Sequence, residues 1–226
     1  MSHYDKEYEN YAKRIALGKD NSIDTEYWSP ILKDAWSQGQ IRSKIWLVKE
    51  LSNLIDLNNK TLFVLGGWIG VLPAILFWHT NVKNIRNFEL DEKCVFLSDW
   101  LIKEYMIDNF RYKTIHQDMM NIDYDCHRWS TLSHEKDIFI EKEETPDIII
   151  NTSCDHLKDF TTWWNLIPKG KTFAIQNNNF PDIDDHHNWI KDLNTFKSQV
   201  SDTSEIYYSG ELETEKYKRF MIIGRK

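Results

Sequence analysis

Cysteine is scarce. The 226 residues hold three, Cys94, Cys126 and Cys154. They are odd in number, far apart and form no Cys-x-x-Cys pair, which argues against a disulfide framework or a structural zinc site and for a reducing, cytoplasmic compartment. Long apolar runs are missing too. The longest, Val71 to Trp78, contains Pro73 and ends at His79, well short of the roughly 18 residues of a membrane span. Residues 1–19 are charged and lack the apolar core of a secretory signal. Positive charge is in deficit, with 28 Lys and Arg against 35 Asp and Glu, net −7. That speaks against nucleic acid as a partner, since phosphates need a basic face. There is no internal repeat and no low-complexity linker. What is present is a 41% apolar and 14% aromatic composition with ten Trp, too hydrophobic for intrinsic disorder. A chain of this length buries one substantial core, so one domain with a small appendage is expected.

Periodicity divides the chain at about residue 58. Residues 1–58 form an N-terminal helical extension. In it, Ile41, Ile45, Val48, Leu51, Leu54 and Ile55 recur at helical spacing from Gln40 until Asn58-Asn59. Residues 59–226 alternate between strand and helix signals. Strands are expected at 61–65, 84–88, 112–116, 147–151 and 171–176, with helices between them. The long polar span 121–145 reads as an excursion with one short strand near 138–140. Two last strands, 205–208 and 217–224, flank a turn-rich segment suited to an antiparallel hairpin. Alternating strands and helices imply a parallel sheet wound by right-handed crossovers. The expected fold is therefore α/β, Rossmann-like, mostly parallel and seven-stranded, closed by an antiparallel hairpin.

Three features carry chemistry. First, Gly66-Gly67-Trp68-Ile69-Gly70 stands where the first strand turns into a helix. Glycine there lets a ligand approach the backbone, and the helix beyond offers free N–H groups. Glu89 ends the second strand nineteen residues after Gly70, the spacing at which an acid bonds a ribose. Asp118 ends the third strand in the same manner, where it could meet an adenine amino group. Second, Asp155-His156 follows the fourth strand. A carboxylate beside an imidazole can move a proton or orient an acceptor, and Asp155 is equally a candidate N-cap of the next helix. Cys154 reads as a buried structural thiol rather than a nucleophile. Third, Gln176-Asn177-Asn178-Asn179-Phe180 ends the fifth strand, and Asp182, Asp184, Asp185, His186 and His187 follow. They suggest either a solvated helix start capped by Asp184 or Asp185, or a metal cluster around Asp184, His186 and His187. Of the tryptophans, Trp28, Trp36, Trp46, Trp163 and Trp164 are core or pocket candidates, and Trp68 alone stands in the glycine loop.

This pattern resembles the class I S-adenosylmethionine-dependent methyltransferase family over about residues 60–226. The closing hairpin distinguishes it from a nicotinamide dehydrogenase, which continues with a parallel sixth strand. The resemblance implies S-adenosylmethionine as cofactor, bound by Gly66, Gly67, Trp68, Gly70, Glu89, Asp118, Met119 and Asn151, with no metal. It implies a methyltransferase acting on a small polar molecule, with Asn151, Asp155 and His156 holding and deprotonating the acceptor. Two departures stand out. Trp68 replaces the family's middle glycine, and Val64 stands where an acid often holds the methionine ammonium. They keep open non-methyl uses of the cofactor (aminocarboxypropyl transfer or cyclisation) and a non-catalytic cofactor-binding scaffold. The Asp/Asn-Pro-Pro-aromatic motif of nucleic-acid amino-methyltransferases is absent, as Asn151 is followed by Thr152-Ser153.

Overall fold

The computed structural model describes residues 25–107, 109–133, 138–181 and 184–226. Strands β1 (Thr61–Leu65), β2 (Asn84–Glu89), β3 (Tyr112–His116), β6 (Ile148–Asn151), β7 (Thr172–Asn178), β8 (Glu205–Glu213) and β9 (Lys218–Arg225) form one sheet. Their order is β3-β2-β1-β6-β7-β9-β8. The first five are mutually parallel, and β9 enters antiparallel between β7 and β8. The seven-stranded sheet and its closing hairpin match the reading of the sequence. All four residues of β6 are buried, as a central strand covered on both faces requires.

Each face carries its own core. Leu62, Val64, Ile85, Ile150, Ala174, Met221 and Ile223 point to one side. There they meet helices α2 (Gln38–Leu54), α3 (Val71–His79) and α4 (Glu92–Leu101). Phe63, Leu65, Phe88, Ile149, Phe173, Ile175, Phe220 and Ile222 point to the other. They pack on α6 (Phe160–Leu166) and α7 (Leu193–Ser198), where Trp163, Trp164 and Phe196 fill the layer. The short helices α1 (Thr25–Ala35) and α5 (Lys103–Ile107) complete the set. Trp163 and Trp164 are therefore core residues, Trp36 is exposed, and Trp46 donates to the Tyr208 hydroxyl. The side chain of Trp28 lies outside the described residues, as do residues 1–24 and Asp182.

Several local expectations need correction. In α2, Ile45 and Leu54 are 47% and 43% exposed, and the buried stripe is Ser43, Lys44, Leu47, Val48 and Leu51. The helix is rotated because Gln176 of β7 is satisfied by it: Ser43 Oγ donates to Gln176 Oε1 at 3.0 Å, and Gln176 Nε2 donates to the Ser43 carbonyl at 3.3 Å. The excursion holds two strands rather than one, β4 (His127–Ser133) and β5 (Ile138–Glu144), paired antiparallel. A buried ion pair docks this hairpin on the sheet. Glu144 receives Arg86 Nη2 at 2.6 Å, the Arg86 Nε, and Trp129 Nε1 at 2.7 Å. Burial lowers the Arg86 pKa from its usual value and Glu144 opposes the shift. The helix expected to start near Asp184 and Asp185 is α7, which begins only at Leu193 and is capped by Asp192. Asp184 and Asp185 cap nothing there.

Candidate functional site

A cleft of about 1050 Å³ opens at the carboxyl ends of β1, β2, β3, β6 and β7. It lies where the chain leaves β1 on one side toward β2 and returns on the other as β6, the switch point at which open α/β sheets bind ligands. Its volume is just above the upper end of the range for small-molecule and cofactor sites, about 300–1,000 Å³.

The glycine loop forms one wall. Gly66 sits at φ 56° and Gly70 at φ 83°. A Cβ on Gly66 would come within 3.0 Å of Ser153 Oγ, which itself donates to the Gly66 carbonyl at 3.2 Å. That bond ties the loops after β1 and β6 together. A Cβ on Gly67 would fall 1.7 Å from Asn87 Oδ1, so packing beneath the loop dictates Gly67. Gly70 also occupies the N-cap of α3 without a side-chain cap, leaving that helix's first amides directed at the cleft rim. Trp68 lines the cleft at φ 52°, a left-handed conformation that costs an L-residue about 1 kcal/mol. Its N–H donates to Glu89 Oε2 at 2.7 Å, offsetting that strain.

Glu89 is consequently more than a rim acid. Its Oε1 accepts from Leu90 N at 2.8 Å and Asp91 N at 2.9 Å. Three of a carboxylate's roughly four lone-pair sites are used, and the side chain still faces the cleft. Asp118 accepts from Met120 N through Oδ1 at 2.9 Å and caps the turn Met119–Asn121. Met119 is held by the Tyr124 hydroxyl on its carbonyl at 2.8 Å and by Asn151 Nδ2 on its sulfur at 3.4 Å. Leu90 and Met119 supply apolar wall on this side.

Asn151 is fully buried and is not among the cleft-lining residues. Its Oδ1 accepts from Ser153 N at 2.8 Å, so it supports Met119 and the β6 loop from below. Cys154 is buried too, and burial raises its thiol pKa far above the usual value, with the Asp155 charge adding to it. It is an inert thiol, as expected.

Asp155 is not an N-cap, because Asp159 caps α6. It is 2% exposed and faces the cleft. Its Oδ2 accepts from Asn178 Nδ2 at 2.5 Å and lies 3.0 Å from His186 Nε2, but 3.9 Å from His156 Nε2. The primary partner of Asp155 is therefore His186. The two imidazoles stand perpendicular, with ring centroids 4.8 Å apart. His186 Nδ1 bonds the Phe180 carbonyl at 2.7 Å. Both His186 nitrogens are engaged, and half-exposed His156 is the imidazole left facing the cleft. Asp155, His156 and His186 present ligand atoms within 4.8 Å of one another, a donor set suited to a transition metal. Among the described residues, neither Asp184 nor His187 joins that group.

Two residues that shape the candidate site have no signal in their own neighbourhood. Asn188 donates its backbone N–H to the Asp155 carbonyl at 2.9 Å and its Nδ2 to the Cys154 carbonyl at 3.1 Å, while accepting from Asn177 at 2.8 Å. It fastens the loop that delivers His186. Arg219, on β9, and Lys44, on α2, both line the cleft.

No family profile and no curated protein matches the chain. Solved structures do. Magnesium protoporphyrin IX methyltransferase (ChlM) from Synechocystis PCC 6803, with bound S-adenosylmethionine, is 13% identical, with a TM-score of 0.60 over 95% of this chain and 97% of that one. The N-methyltransferase NodS from Bradyrhizobium japonicum is 11% identical, with a TM-score of 0.59 over 85% and 98%. The chain thus has the fold of class I S-adenosylmethionine-dependent methyltransferases. No described helix is long and apolar enough to cross a membrane.

Proposed function

We propose that this chain is an S-adenosylmethionine-dependent methyltransferase acting on a small polar molecule. The observation that carries the reading is the convergence of Glu89, Asp118 and the Gly66–Gly70 loop on one cleft at the ends of neighbouring parallel strands. The residues fit the cofactor. Glu89 keeps an acceptor site for ribose hydroxyls, and Asp118 offers its second oxygen to an adenine amino group. Leu90, Met119 and Trp68 give a planar base and its ribose apolar contact. A cofactor side chain can lie along Gly66, where a Cβ would already be crowded. S-adenosylmethionine supplies an electrophilic methyl group on a sulfonium centre.

The chain's own residues would do the rest. His156 takes a proton from the acceptor's hydroxyl or amine. Asp155, 3.9 Å from its Nε2, favours the positive ring that results. His186 and Asn178 hold Asp155 in place. Asn151 acts through Met119 and the β6 loop rather than on the acceptor. Most of the rate gain comes from alignment of the reacting groups.

The test is thermal shift with S-adenosylhomocysteine and with NAD. The former should raise the melting temperature, by about 2.7 kcal/mol of stabilisation at a hundredfold excess over Kd, and NAD should not. Stabilisation by NAD, or by neither, overturns the reading. Turnover that releases methylthioadenosine instead of S-adenosylhomocysteine would replace methyl transfer with aminocarboxypropyl chemistry.

A further inference from the structure

Among the described residues, Lys44 and Arg219 are two buried cations with no anion paired to either. Lys44 is 9% exposed and Arg219 is 7% exposed, and both line the cleft. Lys44 Nζ donates to Gln40 Oε1 at 2.5 Å. Arg219 Nη1 donates to the Thr152 carbonyl at 3.2 Å, and its guanidinium lies 5.7 Å from the Tyr217 ring centre. Arg219 Nε is buried and has no hydrogen-bond partner. Among the described residues, no carboxylate lies within ion-pair distance of either group. Asp34, on the exposed end of α1, acts on Lys44 only at longer range. Asp155 gives its Oδ2 to His186 and Asn178, and its buried Oδ1 has no hydrogen-bond partner among the described residues, so it pairs with neither cation. Burial, and then the charge of Arg219, push the Lys44 amine down to about 7. Two desolvated cations in one cleft are unfavourable unless a ligand brings the missing charge.

We propose that Lys44 and Arg219 bind an oxyanion of the acceptor, a carboxylate or a phosphate, and so make this a methyltransferase for acidic small molecules. The inference rests on the proposed function and narrows its substrate. Position assigns the anion to the acceptor rather than to the carboxylate of the cofactor. Arg219 stands on β9, three strands beyond β1 in the sheet order through β6 and β7. Its guanidinium bonds the Thr152 carbonyl at 3.2 Å, in the loop after β6 that also carries Asp155 and His156. Lys44 stands over Gln176 of β7 through its neighbour Ser43. An oxyanion there would place the rest of a small acceptor within reach of His156.

Isothermal titration of the protein saturated with S-adenosylhomocysteine tests this, using benzoate, phenyl phosphate and neutral benzamide as probes. At least one anion should bind and benzamide should not. Lys44→Met and Arg219→Met should each weaken the anion by roughly tenfold, the value of one charge-assisted bond. Both should keep the affinity for S-adenosylhomocysteine within about twofold. Lys44→Met should also melt no lower than the parent, because it removes an uncompensated buried charge. Absence of anion binding, equal binding of benzamide, or unchanged anion affinity in both variants overturns the proposal. So does a variant that loses S-adenosylhomocysteine, which would give these cations to the cofactor. Failure of the parent to bind S-adenosylhomocysteine refutes the proposed function instead, and titrating the free protein with the anions still reads the subsite.

Discussion

Replacing Glu89 with Gln separates two jobs held by one carboxylate. The side chain accepts three backbone bonds, from Trp68 at 2.7 Å, Leu90 at 2.8 Å and Asp91 at 2.9 Å. Bonds to a charged group are worth about 1.5–3 kcal/mol when buried. Glu89 is half-buried, so about 1 kcal/mol each is the better figure. Glutamine keeps one acceptor oxygen and turns an NH₂ toward the other amide or amides. It therefore forfeits either the Trp68 bond or the Leu90–Asp91 pair, about 1–2 kcal/mol. For a chain of this size that lowers the melting temperature by about 2–8 °C. Losing a charged acceptor for ribose should weaken S-adenosylhomocysteine about tenfold or more. Differential scanning fluorimetry without ligand reads the first quantity, and calorimetric titration the second. A residue that only touched ribose would leave the free protein's melting temperature alone or raise it, since the chain already carries net −7. An unchanged melting temperature refutes the bridging role of Glu89, and an unchanged affinity refutes its place at the ribose.

Arg86→Met should cost about 3–5 kcal/mol in urea unfolding, because it strands Glu144 beneath the β4–β5 hairpin. Adding Glu144→Leu should recover a large part of that loss, and no recovery would contradict the ion pair as its origin. Lys44 sets a pH dependence whose sign is fixed. Its amine is depressed to about 7 in the folded chain from an unfolded value near 10.5, by burial and Arg219 against the opposing charge of Asp34. Between those values the unfolded chain binds more protons, so stability rises with pH across the window and is at its lowest below it. Urea titrations should show that slope in the parent and a flatter one in Lys44→Met. Equal slopes would remove Lys44 as its source.

The side of the cleft proposed for the cofactor is legible in the sequence because each part is local. Gly66 to Gly70, Glu89 and Asp118 all stand at strand ends, and strand ends follow from apolar runs and glycine. The acceptor side is not, because its parts meet only through the sheet. Adjacency in sequence points to His156 as the partner of Asp155, yet three-dimensional order gives it His186, thirty-one positions on. The loop before α7 bends back through Asn188, and polar loop contacts of that type carry no periodicity. Ile45 misled because helical spacing marks a stripe without marking which edge is covered. Gln176 decided the edge, bringing Ser43 and Lys44 inward. The β4 strand was missed because its residues, His-Arg-Trp-Ser-Thr-Leu-Ser, are polar enough for a loop. Arg86 and Glu144 hold it, and strand preference follows such tertiary partners.

The insertion of β9 between β7 and β8 has a kinetic meaning. Until β9 pairs, the outer edge of β7 has no neighbour, and β8 cannot take its place beside it. Arg219 faces Asn178 in that register, so the acceptor wall closes with the final strand to be added. Earlier states can own a formed β1–β2–β3 half and a glycine loop while leaving an open, hydrogen-bonding edge at β7. Such an edge invites pairing with another chain, and long-range strand insertion is slow. The half proposed to hold nucleoside can thus be in place before the half proposed to bind the acceptor, and in the interval between them the β7 edge stands open.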